Sequence, residues 1–305
     1  MKNYIKFKKR YCLFFVLIIF ILLFFLTGIF QNSSINNHDL ERWDYNEEGI
    51  IIGAEEFILE GENNICWYLI HGYTSTPDEM REVAESIHKE FGDTVFVTRL
   101  KGHGEVPGNI LGLTLDDWFV QTSEEFDILS KKCNKINLVG FSFGGTLITR
   151  LAETKKVNNS YLLSPYLFST YNFYQVFKTE TYLNIFGNIF NYSKKTKIGQ
   201  INSPTGLEKH IAYWNMPFTP VKDSAPFIKN VINNLSKIST PILLQQSKND
   251  KTSDIKSSVY VYNNISSKDK ELIIFEKSNH IITEDYDKDT VIKNIINFEK
   301  KIRDL

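Results

Sequence analysis

The sequence predicts an α/β fold in which a mostly parallel sheet is covered by helices and interrupted by an inserted cap. Three observations predict it. Short runs of β-branched and aromatic residues recur near 66–70, 94–99, 136–141, 159–163, 241–246 and 271–276, separated by stretches with helical periodicity. The residues with catalytic chemistry fall just past the ends of three of these runs. From about 165 to 235 the alternation breaks, and an off-pattern stretch of about 70 residues in a compact domain suits a cap better than a loop.

The chain of 305 residues is 42% hydrophobic and 23% charged, which supplies a large core and excludes disorder. Its formal net charge of -1 conceals an asymmetry. Residues 1–30 carry five basic and no acidic residues, leaving 30 basic and 36 acidic residues elsewhere. No basic field exists to hold nucleic acid, so no nucleic-acid partner is expected.

At the N-terminus, Lys2, Lys6, Lys8, Lys9 and Arg10 form a basic flank over 1–10 ahead of an uncharged, almost wholly apolar run over 11–30. At about 1.5 Å per residue this run can cross a bilayer core of about 30 Å. It is longer than the apolar region of a cleavable signal and ends without a small-x-small site, so a transmembrane anchor is expected, with secretion after cleavage as the alternative. The positive-inside rule puts the N-terminus in the cytoplasm and the rest outside, as a single-pass cell-membrane protein. Residues 31–49 are polar and unpatterned and read as a linker, and the folded domain is expected over 50–305.

Within the domain, Thr76-Pro77-Asp78-Glu79 predicts a helix start with a capping box, and Thr114-Leu115-Asp116-Asp117 opens the next helix. The last helix is expected over about 287–303, with Val291, Ile292, Ile295, Ile296 and Phe298 on one face. The cap is dense in aromatics, including Tyr166, Phe168, Tyr171, Phe173, Tyr174, Phe177, Tyr182, Phe186, Phe190, Tyr192, Tyr213 and Trp214. They form the cap's own core or also wall an apolar pocket. Cys12, Cys66 and Cys133 give no disulfide framework and read as small core hydrophobes; Cys66 and Cys133 pair only if the fold brings them together.

The strongest chemical signal is Gly140-Phe141-Ser142-Phe143-Gly144-Gly145, set between the run Ile136 to Val139 and a helical Thr146 to Leu151. A Ser on such a sharp strand-to-helix turn projects its hydroxyl above the sheet edge. Serine is a poor nucleophile without a base, and the base needs an acidic partner to fix its tautomer. The run ending at Gln246 leads to Asp250, and the run ending at Phe275 leads to His280, both at the sheet edge where open parallel sheets bind ligands. Asp254 competes with Asp250 for the acidic role but falls inside the following helix, so Asp250 is preferred. His71, beside Gly72, reads as a loop-shaping hydrogen bonder and His103 as structural. The backbone amides of Tyr73 and Phe143 are the candidates for binding a developing oxyanion. No phosphate loop and no metal-spaced cluster appears, so neither cofactor nor metal is expected.

Over residues 50–303 the chain resembles the α/β-hydrolase superfamily, and within it the bacterial carboxylesterase and monoacylglycerol-lipase group. The resemblance rests on the nucleophile turn, on His71-Gly72-Tyr73-Thr74, on Arg99 to Gly104, on Asp117-Trp118, and on Ser278-Asn279-His280-Ile281-Ile282-Thr283. It implies Ser142 as nucleophile, His280 as base, Asp250 as its orienting acid and the Tyr73 and Phe143 amides as oxyanion hole. Two residues depart from the group. Phe143 stands where Met or Gln is usual, which implies a narrower pocket, and Asn279 replaces a frequent Gly, which implies a tolerant backbone there. The expected function is a serine carboxylesterase acting through an acyl-enzyme on monoacylglycerols or short to medium acyl esters. Acyltransferase, thioesterase or peptidase activity on the same residues, or a non-catalytic binding role, are the alternatives.

Overall fold

The structure is a computed structural model that describes residues 11, 14–23, 26, 34–170, 191–194 and 200–304. A seven-stranded sheet runs in the order β1-β3-β2-β4-β5-β8-β9. Its strands are β1 (Phe57–Leu59), β2 (Ile65–Ile70), β3 (Thr94–Thr98), β4 (Lys135–Phe141), β5 (Ser160–Leu163), β8 (Ile242–Ser247) and β9 (Lys270–Phe275). Two shorter strands, β6 (Tyr192–Lys194) and β7 (Asn215–Pro217), pair antiparallel in the cap. All six expected strands form within a residue or two of their expected bounds and pair in parallel. The antiparallel edge strand β1 escaped sequence reading, because three residues carry too little periodicity to register.

The alternation within each strand sorts side chains into two cores. Cys66, Tyr68 and Ile70 of β2 face a cluster with Leu138, Leu162, Leu244, Trp118 and Leu147, whereas Trp67 and Leu69 face Val95, Val139, Tyr161, Val83 and Ile295 on the other side. The principal helices are α1 (Arg81–Phe91), α2 (Leu115–Leu129), α3 (Phe143–Thr154), α4 (Pro204–Lys209), α5 (Ser224–Asn234), α6 (Lys256–Asn264) and α7 (Lys288–Arg303). Val83, Ala84 and Ile87 of α1 and Val291, Ile295 and Phe298 of α7 cover one face, and α2, α3 and α5 cover the other. This is the α/β-hydrolase architecture that the resemblance implies, with strand order reversing about β2 and β4, the place where such sheets hold ligands.

The two helix starts fare differently. At Thr114 the capping box forms, with the Asp117 N–H bonded to the Thr114 hydroxyl and the Thr114 N–H bonded to Asp117. At Thr76 it does not form. A 3-10 turn (Pro77–Met80) precedes α1, the Thr76 hydroxyl donates to the Ile211 carbonyl at 3.0 Å, and Glu79 turns to the Gly72 N–H. Tertiary partners outcompete the local cap.

The cysteines give a second difference. Cys66 and Cys133 form a disulfide with Cα atoms 5.8 Å apart. Cys66 lies on β2 and Cys133 in the loop entering β4, and the parallel pairing of Cys66 with Ile136 closes a distance spanning 67 residues of sequence. Cys12 lies outside the described residues.

Among the described residues no helix is long and apolar enough to cross a membrane. Residues 14–23 are helical, while 1–10, 12, 13, 24, 25 and 27–30 lie outside the described residues, so the anchor expected over 11–30 is not seen as a spanning helix. The stretch expected as a linker contains a helical run over 34–40. Its Asp39 is fully buried, accepting from the Trp214 N–H at 3.3 Å and the Asn215 side-chain amide at 3.0 Å, and Asn36 accepts from the Gly108 N–H at 3.0 Å. These residues pack on the domain as well as precede it. Of the cap aromatics, Tyr171, Phe173, Tyr174, Phe177, Tyr182, Phe186 and Phe190 lie outside the described residues.

Candidate active site

Ser142 sits between β4 and α3 with φ 53° and ψ −116°, a conformation that a residue with a side chain adopts only at a cost. The surrounding contacts hold it there. Its N–H donates to the Leu163 carbonyl at 2.9 Å, and its own carbonyl accepts from the Thr146 and Tyr166 N–H groups at 3.1 Å each. Strand and helix approach so closely that a side chain at Gly140 would collide with the Gly144 carbonyl, and one at Gly144 with the Ile70 carbonyl. Glycine is required at both positions.

The ends of β8 and β9 bring the other two residues to this turn. His280 Nε2 lies 2.9 Å from Ser142 Oγ, and His280 Nδ1 lies 2.8 Å from Asp250 Oδ2. A carboxylate only accepts, so Nδ1 carries the proton and the Nε2 lone pair faces the serine hydroxyl. Asp250 is aimed by its own loop: Oδ1 accepts the Thr252 and Ser253 N–H groups at 2.8 Å each, and Oδ2 also accepts the Gln246 amide at 3.3 Å. All three residues are buried. Asp254 is directed elsewhere, accepting the Lys256 N–H at 2.9 Å.

Asn279 was expected to need a permissive backbone, but it is not among the described non-glycine residues with positive φ. Its contribution is its side chain. The amide oxygen accepts the His280 N–H at 2.9 Å and the Lys251 N–H at 3.1 Å, joining the histidine loop to the acid loop. Asp285 supports the same loop by accepting the Asn279, Asn202 and Ser203 N–H groups at 2.8 Å each. Sequence reasoning marked Asn279 for its backbone and missed its bridging side chain, and only the acidic tail after His280 hinted at Asp285.

The loop after β2 carries Tyr73. His71 Nε2 accepts the Leu100 N–H at 3.2 Å and its Nδ1 donates to the Gly72 carbonyl at 2.8 Å, so the ring shapes the loop and does not reach the serine. Burial lowers the His71 pKa to about 4, which keeps this tautomer neutral. His103 is buried among His71, Tyr73 and Trp118, with ring centroids at 5.0, 5.9 and 5.0 Å. Phe143 is the first residue of α3, so its N–H has no intrahelical acceptor and lies at the positive end of the helix dipole. Its ring packs at 5.4 Å from Tyr73 and 5.0 Å from Tyr166, and the Tyr73 hydroxyl donates to the Pro217 carbonyl at 2.5 Å, so aromatic side chains run from both loops into the cap. Among the described residues no group of His, Cys, Asp and Glu has metal-binding geometry.

Comparison with known proteins agrees with this architecture. A thermostable monoacylglycerol lipase from Bacillus sp. (strain H-257) is 27% identical over 258 residues, covering 83% of this chain and 96% of that protein. A carboxylesterase from Bacillus subtilis (strain 168) is 24% identical over 254 residues, covering 83% and 98%. The solved structure of a metagenome-derived lipolytic enzyme superposes with a TM-score of 0.74 at 24% identity, covering 83% of this chain and 99% of that one. The family described as serine aminopeptidase, S33, matches residues 62–287, a span that runs from before β2 to beyond His280 and so contains the loop, the elbow and both strand ends just described. The chain therefore belongs to that family and is a serine hydrolase of the α/β-hydrolase fold.

Proposed function

We propose that the protein is a carboxylesterase that cleaves carboxylic esters through an acyl-enzyme, with Ser142 as nucleophile, His280 as general base and acid, and Asp250 as the orienting carboxylate. The observation that carries this reading is the continuous chain from Ser142 Oγ to His280 Nε2 at 2.9 Å and from His280 Nδ1 to Asp250 Oδ2 at 2.8 Å. His280 takes the hydroxyl proton as Ser142 Oγ attacks the ester carbonyl carbon. The oxygen that becomes negative is received by the Tyr73 and Phe143 N–H groups, a placement that lowers such barriers by several kcal/mol in comparable sites. His280 Nε2 then gives its proton to the leaving alcohol. A water molecule, deprotonated by the same nitrogen, attacks the acyl carbonyl, and collapse of the second intermediate returns the proton to Ser142 and releases the acid. Asp250 stabilises the imidazolium in both halves without taking its proton.

The substrates in this reading are monoacylglycerols or short to medium acyl esters, which suits the aromatic lining around Ser142 and the activities for which the two Bacillus relatives are named. The apolar run over 11–30 would tether the domain outside the cell membrane. Phe14, Phe15, Phe20 and Leu22 of this run are exposed, and a disulfide between Cys66 and Cys133 suits an oxidising compartment. The family description favours one second reading, an aminopeptidase on the same triad. Incubation with p-nitrophenyl esters of increasing acyl length, beside aminoacyl p-nitroanilides and beside Ser142→Ala, tests the proposal. Ester turnover lost in the variant supports it; anilide turnover without ester turnover transfers the site to peptides.

A further inference from the structure

Gly72 is held through both of its backbone groups. Its N–H donates to Glu79 Oε2 at 3.2 Å, and its carbonyl accepts from His71 Nδ1 at 2.8 Å and from the Ser75 N–H at 3.3 Å. In a planar trans peptide the C=O and the following N–H point in opposite directions, so the bonds from His71 and Ser75 to the Gly72 carbonyl fix the Tyr73 N–H, while the Glu79 bond fixes the preceding His71–Gly72 peptide plane, and the two together set φ and ψ at Gly72. The restraint opposes strain, because the next residue, Thr74, stands at φ 64°, where a β-branched residue is disfavoured.

Glu79 is the costly member of this arrangement. It is 2% exposed, in the electrostatic field of a second carboxylate, Glu284, with His210 as the compensating imidazole. His210 Nδ1 lies 2.6 Å from Glu284 Oε2. His210 closes α4 on the return from the cap, and Glu284 follows His280 by four residues, so three segments meet behind the Gly72 loop. An apolar side chain would fill this space without the desolvation of a carboxyl. Among the bonds that Glu79 makes in return is the one to the Gly72 N–H.

We propose that Glu79 is a positioning residue for this active site: its buried carboxyl, compensated by His210, anchors the peptide plane that leads into Gly72 and, together with the bonds from His71 and Ser75 to the Gly72 carbonyl, aims the Tyr73 N–H at the carbonyl oxygen of the bound ester. The inference rests on the serine-esterase reading above. It concerns a residue acting through the backbone, without contact to substrate.

The test compares Glu79→Gln, Glu79→Leu and Ser142→Ala in the full chain by kcat and KM on p-nitrophenyl butyrate, with thermal unfolding of each. The Gln side-chain oxygen still accepts the Gly72 N–H, whereas the Leu side chain fills the volume and accepts nothing. The expected result is a kcat lower by about tenfold or more in Glu79→Leu at a KM within about twofold, with Glu79→Gln within about threefold of the parent protein. Equal kcat in Glu79→Leu and the parent protein overturns the proposal, as does a Glu79→Gln variant impaired as much as Glu79→Leu. A dead Ser142→Ala beside an unaffected Glu79→Leu overturns this proposal alone; a fully active Ser142→Ala overturns the esterase reading and this one with it. Should Glu79→Leu not fold, the Glu79→Gln comparison decides by itself, since rescue is expected there and its loss counts against the role.

Discussion

The side-chain oxygen of Asn279 accepts the backbone N–H of Lys251 at 3.1 Å, so the residue before the base is bonded to the residue after the acid. The same oxygen accepts the His280 N–H at 2.9 Å. Two loops separated by about 30 residues of chain are thereby held in one register, and the register sets the 2.8 Å contact between His280 and Asp250.

Asn279→Gly removes this clamp and leaves the buried His280 N–H and the Lys251 N–H without it. A cost of about 1–3 kcal/mol is expected in stability, with kcat lower by roughly fivefold or more through misaligned loops. Thermal unfolding and ester kinetics check both, and a variant within about twofold of the parent kcat would show the clamp to be dispensable.

Asp250→Asn keeps the shape of the loop but disturbs the tautomer. The Asn amide presents an N–H where His280 Nδ1–H now donates, or leaves a neutral oxygen facing it, and the imidazolium loses its counter-charge. A fall in kcat of about 10³ or more is expected at neutral pH. Asp254→Asn, which alters a residue bonded to the Lys256 N–H, should leave turnover near the parent value.

Burial, reinforced by Glu284, raises the Glu79 carboxyl from 4.5 to about 7, against the lowering effects of His210 and the Gly72 N–H. The folded state therefore holds this proton more tightly than the unfolded chain does. The stability it contributes is complete below about pH 4.5 and is lost as pH rises through about 7. Glu79→Gln does not titrate, so its stability relative to the parent protein should rise between pH 5 and pH 8 by roughly 1–3 kcal/mol. Urea unfolding at the two pH values measures the difference, and a constant gap would refute the shift.

The disulfide closes 67 residues of sequence between β2 and the entry to β4. Replacing Cys66 and Cys133 together by Ala is expected to cost about 2–4 kcal/mol in an oxidising medium, read as a lower Tm. Thiol counting under denaturing conditions before and after reduction gives the independent check: two more thiols after reduction than before are expected.

Much of the fold was legible because burial writes a period into the chain. β2, β4, β5 and β8 are buried almost throughout and appear as apolar-rich runs, interrupted by Asn137 in β4 and ending in Gln245, Gln246 and Ser247 in β8, and the elbow at Ser142 is marked by the glycines that its close packing demands. β1 was not legible, being three residues long at an edge, and neither was the fate of Thr76, whose hydroxyl finds a partner in Ile211, 135 residues away.

The sequence by itself determined the strand order of chemistry, Ser142 then Asp250 then His280, and the ends of strands on which these residues stand, since both follow from local pattern. Only the tertiary structure decided which carboxylate faces the imidazole, that Cys66 meets Cys133, that Asn279 bridges two loops, and that Glu79 turns from its own helix to Gly72. The physical reason is common to all four. A side chain's hydrogen-bond partner is chosen by proximity after the sheet has assembled, and parallel pairing brings together residues whose separation along the chain carries no local signal.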